Sequence, residues 1–297
     1  SHYQQIYWTT GFGDGTLRQF PWVYEITEKR WIPTEDSFLH PPDSVETEKI
    51  WNRNCIRCHS VGQRPNYTTN GVWKTEVTEI GIACSACHGP AEEHIKTHQN
   101  PLSRLATRTA DGPDETIVNP LKLNHRRASQ VCAQCHAYVR PKPGFFKDGK
   151  GQAFRAGDRL LDHYTLQQHD GKPSNQFWPD GSVRTGGREY NSMILSGCYT
   201  QGELTCMSCH SMHVHNPQDQ IKDKMDGNEA CNQCHTAIKN DITAHTHHPK
   251  KSQGSLCYNC HMPYTGYALL GTTRTHRIST PTLTGIATDD QPNACNL

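Results

Sequence analysis

Bulky aromatic and β-branched residues dominate the first forty positions, in Tyr3 to Thr9, Leu17 to Thr27 and Arg30-Trp31-Ile32. The turn-forming run Gly11-Phe12-Gly13-Asp14-Gly15 separates the first two stretches, so the pattern predicts a small hairpin or sheet. After Pro41-Pro42 the pattern turns helical. Asp43-Ser44-Val45-Glu46 reads as a capping box leading into Ile50 and Trp51, and Asp226-Gly227-Asn228-Glu229 repeats the signal before Cys231. Residues 137–187 carry many Gly and Pro, as in Pro141-Lys142-Pro143-Gly144 and Trp178-Pro179-Asp180-Gly181, and predict a long irregular insert. The expected fold class is mainly α with extensive irregular loops and a small N-terminal β element. Residues 1–42 form the β-rich segment and 43–297 the main domain. No apolar run approaches the length of a transmembrane segment.

Composition adds a shortage. Hydrophobic residues are 34% of 297; counting Gly and discounting Tyr gives roughly 38%, against about 45–50% in ordinary globular chains. Something besides side chains must complete the core. With 30 Lys+Arg against 29 Asp+Glu, neither a disordered polyelectrolyte nor a basic nucleic-acid binder fits. The excess lies in 14 Cys and 19 His.

Twelve of the cysteines fall into one repeated pattern, C-x-x-C-H. The first three copies are Cys55, Cys58 and His59; Cys84, Cys87 and His88; and Cys132, Cys135 and His136. The last three are Cys206, Cys209 and His210; Cys231, Cys234 and His235; and Cys257, Cys260 and His261. At these Cys and His frequencies chance would give on the order of 0.04 copies, so the pattern reads as haem c attachment. Two thiols three residues apart can add to the two vinyl groups of one porphyrin, and the next residue then places an imidazole on the iron. Zinc is the competing chemistry, because the last three motifs are spaced like paired C-x-x-C sites, but zinc gives no reason for a His after every second Cys. Disulfides fail for the same reason, and a thioredoxin-like pair would occur once. Six covalent haems would supply the missing core, and their propionates would shift the formal charge of +1 to about −11.

Thirteen histidines lie outside the motifs, more than the six needed for a second axial ligand at every iron. His94 follows Pro90 and two acids that suit a helix start, with His98 on the same face. His125 lies two helical turns before Cys132. His213 follows His210 closely, with His215 as its rival. His247 and His248 precede the last motif, and His276 lies downstream in Thr275-His276-Arg277. His40, His163, His169 and His245 have no such setting and read as ordinary polar residues.

The run from Gly81 through Cys84-Ser85-Ala86-Cys87-His88-Gly89-Pro90-Ala91-Glu92-Glu93-His94, the run His125 to Cys132, Arg188-Glu189-Tyr190, and Cys257 to Pro263 together carry a resemblance covering nearly the whole chain. The sequence resembles multihaem cytochromes of the cytochrome c554, octahaem hydroxylamine oxidoreductase and pentahaem nitrite reductase superfamily, and within it large proteins with C-terminal tetratricopeptide repeats. The resemblance implies an organisation around stacked haems and favours His94, His125, His213 and one of His247 and His248 as distal ligands. His2 resembles a distal ligand that follows an additional first motif in such proteins, a motif absent here. The C-x-x-C-K motif of the nitrite reductases is also absent. Cys198 stands where relatives can have a His; a buried thiol and an axial thiolate are its two readings. Cys295, near the end, matches the start of a further motif and leads to the expectation that the chain is a piece of a longer one.

Three functions follow as expectations. The first is electron transfer along six haems to redox partner proteins or neighbouring cytochrome subunits. The second is oxidation or reduction of a small nitrogen or sulfur compound at one open haem, with Arg184, Arg188 and Tyr190 as supporting groups. The third is a homo-oligomeric extracellular filament. No nucleic-acid partner is expected. Haem c attachment takes place on exported chains, so the expected location is periplasmic or extracellular.

Overall fold

The computed structural model describes residues 3–10, 13–37, 49–146, 151–214, 219–281, 291, 292 and 294. The predicted capping box at Asp43–Glu46 lies outside them.

The N-terminal residues form the expected sheet. Strands β1 (Gln4–Thr10), β2 (Leu17–Glu25) and β3 (Arg30–Pro33) pair antiparallel in the order β1-β2-β3. The two-residue period of a strand sets Val23 and Ile32 on the buried face and Trp22 and Trp31 on the open one. Tyr7, Phe20 and Tyr24 gather around Trp31 with ring centroids 5.3 to 6.1 Å away. The sheet is tied to the first motif: Leu17 N–H donates to Asn52 Oδ1 at 2.7 Å, and the same buried amide donates to Thr75 Oγ1 at 2.8 Å. Asn52 belongs to a π-helical turn, Trp51–Cys55, that delivers the chain to Cys55.

The chain divides into two compact units, one of residues 3–34 and 49–166, the other of 35–37 and 167 onward, so three motifs fall in each. The first unit continues through α1 (Ile56–His59), the ribbon β4 (Ser60–Val61) and β5 (Glu79–Ile80), then α2 (Cys84–His88), α3 (Glu92–His98), α4 (Pro101–Thr109), α5 (His125–Ala133), β6 (Val139–Pro141), α6 (Leu160–His163) and β7 (Tyr164–Leu166), which pairs with β6. Asn side chains start two of these helices, Asn100 accepting from Leu102 N–H and Asn124 from Arg127 N–H. The second unit contains α7 (Glu189–Met193), α8 (Gly197–Thr200), α9 (Glu229–Asn232), α10 (Thr236–Asn240), α11 (Ile242–Thr246), α12 (Cys257–His261) and the hairpin β8 (Tyr264–Ala268) and β9 (Gly271–Arg274).

Two expectations change here. The longest described helices have nine residues, too short to stand alone in water, and four small sheets interrupt them; the fold is mixed rather than mainly α. The second concerns the insert, which is not a bare loop. It supplies Phe145, Phe154, Leu160, Tyr164 and Phe177 to the buried core, and Tyr164 lies 4.6 Å from Phe145 and 6.0 Å from Phe154, ring centre to ring centre. At Asp226–Glu229, Asn228 makes no side-chain cap on α9. Its amide instead accepts from Cys257 N–H at 2.9 Å and donates to Ser255 at 2.7 Å, joining the fifth motif to the sixth.

Candidate haem-binding sites

Each motif is wound into a single turn. The N–H groups of His136, His210 and His235 each donate to the carbonyl of the first cysteine of their motif at 2.9 Å, which places two thiols and an imidazole on one short turn. The second cysteines share these turns: Cys135 N–H donates to the Cys132 carbonyl and Cys234 N–H to the Cys231 carbonyl, both at 3.1 Å, while Cys260 lies within the helical turn α12. Cys135 and Cys260 are half-buried and Cys234 is exposed. None of the thirteen described cysteines is in a disulfide. Burial pushes the Cys55 thiol up to about 11, and Cys58 beside it adds to the rise. Burial likewise pushes Cys231 up to about 12, followed by the effects of Cys257, Cys209 and Cys198. Thiols of the fourth, fifth and sixth motifs, together with Cys198, therefore lie in one neighbourhood.

The histidines carry the strongest geometry. His88 Nδ1 lies 2.7 Å from the Val118 carbonyl, His210 Nδ1 2.8 Å from that of Asp219, and His261 Nδ1 2.8 Å from that of Ser279. A carbonyl can only accept, so each Nδ1 carries the proton and each Nε2 presents a lone pair. At two sites the bond is reciprocal, since Val118 N–H returns to His88 O at 3.1 Å and Ser279 N–H to His261 O at 3.4 Å. The chain leaves the motif, turns back and orients the imidazole.

Opposite two of these rings stands a second histidine. His210 and His276 have centroids 6.3 Å apart with planes 22° from parallel, and His245 and His261 have centroids 6.0 Å apart with planes 15° from parallel. Those separations are too long for face-to-face contact. Imidazole nitrogens bind a first-row metal at about 2.0–2.1 Å, so two rings on opposite sides of one ion have centroids about 6.4 Å apart. The gaps suit one iron each. His276 Nδ1 is itself 3.2 Å from the Arg274 carbonyl, which fixes the same tautomer.

His245, read from the sequence as an ordinary polar residue, is thus brought to His261 by α11. Nothing local marks it, because only the tertiary fold sets that helix against the sixth motif. The ring opposite His210 is that of His276; His213 is exposed in the loop behind it. His94 Nδ1 lies 3.0 Å from Asp114 Oδ2 and 3.1 Å from Thr116 Oγ1, while His98 Nε2 lies 2.8 Å from the same Asp114 oxygen. Hydrogen bonds from Thr116 hold the Asp114 carboxyl down at about 2, even against desolvation, with His98 adding to them. His125 opens α5, where its Nε2 is shut off from solvent. His247 ends α11 in a left-handed conformation with φ 58°, and the His248 ring packs against Gly254, where a Cβ would come within 2.4 Å of it. His163 and His169 have their Nε2 atoms engaged by Asp158 and the Lys172 carbonyl. His2, His40, His215 and Cys295 lie outside the described residues. The groups considered for an open haem are held in the fold: Arg184 covers the Trp178 ring at 4.2 Å, Arg188 donates to the Gly187 carbonyl, and Tyr190 is buried against Tyr199.

Neighbouring motifs are also fastened to one another. Gln134, third in the third motif, donates to the Ala86 carbonyl of the second motif at 2.9 Å and to Val131 O at 2.7 Å. Gln233, third in the fifth motif, donates to the Ser208 carbonyl of the fourth at 3.4 Å and to Ala230 O at 2.7 Å. The two units repeat the same joint between consecutive motifs.

Large apolar side chains stand open beside these turns, among them Ile80 at 86% exposure and Leu121 at 71%. Such side chains, imidazole pairs with centroids 6.0 and 6.3 Å apart, and adjacent thiols fit a set of thioether-bound haems.

Comparison with known proteins agrees. The family "Cytochrome c554 and c-prime" matches residues 34–89. The multihaem cytochrome MtrA of Shewanella baltica (strain OS185) is 21% identical over 215 residues, 71% of this chain and 45% of the relative, so the chain spans about half the length of the curated relative it matches. Among solved structures, the outer cell wall cytochrome OcwA superposes with a TM-score of 0.60 at 18% identity, covering 99% of this chain and 69% of that one. These likenesses, together with the six C-x-x-C-H motifs, support a multihaem c-type cytochrome. No described helix is long and apolar enough to cross a membrane.

Proposed function

We propose that this chain is an electron relay with six covalent haem c groups. The first three are held by Cys55 and Cys58, by Cys84 and Cys87, and by Cys132 and Cys135, with His59, His88 and His136 as proximal ligands. The other three are held by Cys206 and Cys209, by Cys231 and Cys234, and by Cys257 and Cys260, with His210, His235 and His261 in the same role. The observation that carries the reading is the facing of motif histidines by second histidines, His276 for His210 and His245 for His261. Haem c, when bound, supplies an iron that passes between ferrous and ferric states. The chain's own part is to fill both axial positions, to fix each imidazole through Nδ1, and to keep consecutive sites adjacent through Gln134 and Gln233. His94, His125, His213, His247, His248 and His2 complete the pool of second ligands. A site closed on both sides leaves no position for a substrate, which favours transport of electrons over catalysis.

The run around Cys84–His94 supports a finer placement, beside the cytochrome c554 and hydroxylamine oxidoreductase type of protein with tetratricopeptide repeats. Exported location, in the periplasm or outside the cell, follows from haem c chemistry, and redox proteins or neighbouring cytochrome subunits are the partners. A reductive titration of the purified holoprotein tests the relay: uptake of six electrons per chain, returned to an external acceptor without any small nitrogen or sulfur substrate, is expected. Uptake of fewer electrons, or reoxidation that requires such a substrate, would overturn it.

A further inference from the structure

The histidines described above differ in what holds their Nδ1 atom. For His88, His210, His261 and His276 the acceptor is a backbone carbonyl, a neutral dipole. For His94 it is the Thr116 hydroxyl at 3.1 Å, and a carboxylate oxygen, Asp114 Oδ2, stands beside the same nitrogen at 3.0 Å. The carboxylate is aimed. Its other oxygen, Oδ1, accepts from Thr116 N–H at 2.9 Å and from Thr116 Oγ1 at 2.5 Å, so the group cannot swing away without breaking both bonds. His98, one helical turn beyond His94 on α3, donates Nε2–H to the same Oδ2 at 2.8 Å, its ring 4.3 Å from that of His94. A carboxylate oxygen has no proton to give, so His94 donates from Nδ1 and keeps its Nε2 lone pair.

We propose that Asp114 is a positioning and tuning residue that lowers the potential of the haem ligated by His94 below that of a haem whose histidines are held by carbonyls alone. The inference rests on His94 being an axial ligand. A negative partner on Nδ1 gives the imidazole more imidazolate character, raises its basicity and stabilises the ferric iron over the ferrous, whereas a carbonyl does so weakly. At equilibrium that centre is then reduced later than a haem whose histidines are held by carbonyls alone.

The test is a spectropotentiometric titration of the holoprotein, wild type against Asp114→Asn. Asn keeps the shape and the bond from Thr116 N–H but removes the charge. The expected result is one centre moved to more positive potential, with the others unmoved and all irons low-spin; Asp114→Glu, which restores the charge, is expected to move it back toward wild type. Thr116→Val, which releases the carboxylate, carries the same test with the same sign should Asp114→Asn load haem poorly. His94→Ala tests the underlying assignment separately by producing one high-spin iron. A high-spin iron in His94→Ala with unchanged potentials in Asp114→Asn would overturn the tuning role alone. An all-low-spin His94→Ala protein would overturn the ligand assignment. A tightly bound zinc ion, one per holoprotein and lost in Asp114→Asn, would overturn both by making His94, His98 and Asp114 a separate metal site.

Discussion

At an axial histidine the deciding atom is the one turned away from the metal. A proton on Nδ1, fixed by a carbonyl, leaves Nε2 no role except as a lone-pair donor, and four histidines have that arrangement. His245→Ala and His276→Ala are each expected to convert one low-spin iron to high-spin while the haem count holds, because thioether bonds do not depend on the distal ligand; absorption and resonance spectra check both. A second residue-scale prediction concerns acid. Burial pushes the Asp180 carboxyl up, but hydrogen bonds from Ser182 and the Arg277 guanidinium 3.1 Å away bring it below its ordinary value. A depressed carboxyl stabilises the fold above the unfolded value of about 3.9, and that contribution disappears as pH falls through the folded value. Asp180→Asn is therefore expected to lower the melting temperature at neutral pH and to flatten its decline below about pH 4.

At the level of elements, consecutive motifs behave as joined pairs. Gln134 and Gln233 occupy the same motif position and make the same two bonds, one back to the residue before their own first cysteine and one across to the preceding motif. Gln134 is buried and Gln233 exposed, so Gln134→Ala is expected to cost about 1–3 kcal/mol and Gln233→Ala under about 1 kcal/mol, read from denaturant midpoints. The twelve motif cysteines were legible because covalent chemistry demands fixed spacing. Their exposure was not: Cys135 and Cys234 hold the same motif position, yet the first is half-buried and the second exposed, a difference set by what the fold packs around each turn. The N-terminal sheet was legible because its strands are long enough to show their residue types. Strands of two or three residues, such as β4 through β7, are too short to carry a pattern. Phe145, Phe154, Tyr164 and Phe177 each sit between Gly and Pro turns, so a true core looked like a loop. The nearness of His245 to His261 was invisible for another reason: it is set by a distant partner, and Asp241-Ile242-Thr243-Ala244-His245 alone contains no trace of His261.

Across the whole molecule the proposed haems would account for both the thin apolar composition and the exposed apolar side chains. Ile80, Leu102 and Leu121 are 86%, 74% and 71% exposed, and short helices cannot hold themselves. A chain with every motif cysteine changed to serine is expected to lose cooperative thermal unfolding, as followed by circular dichroism, while the holoprotein keeps it. The central claim is that six irons are each closed by a histidine on both sides, so that the protein conducts and does not catalyse. Spin-quantified electron paramagnetic resonance of the fully oxidised holoprotein tests it most directly. Six low-spin ferric irons per chain, with no high-spin signal, is the expected result; fewer irons, or a high-spin ferric signal amounting to one per chain, would contradict it.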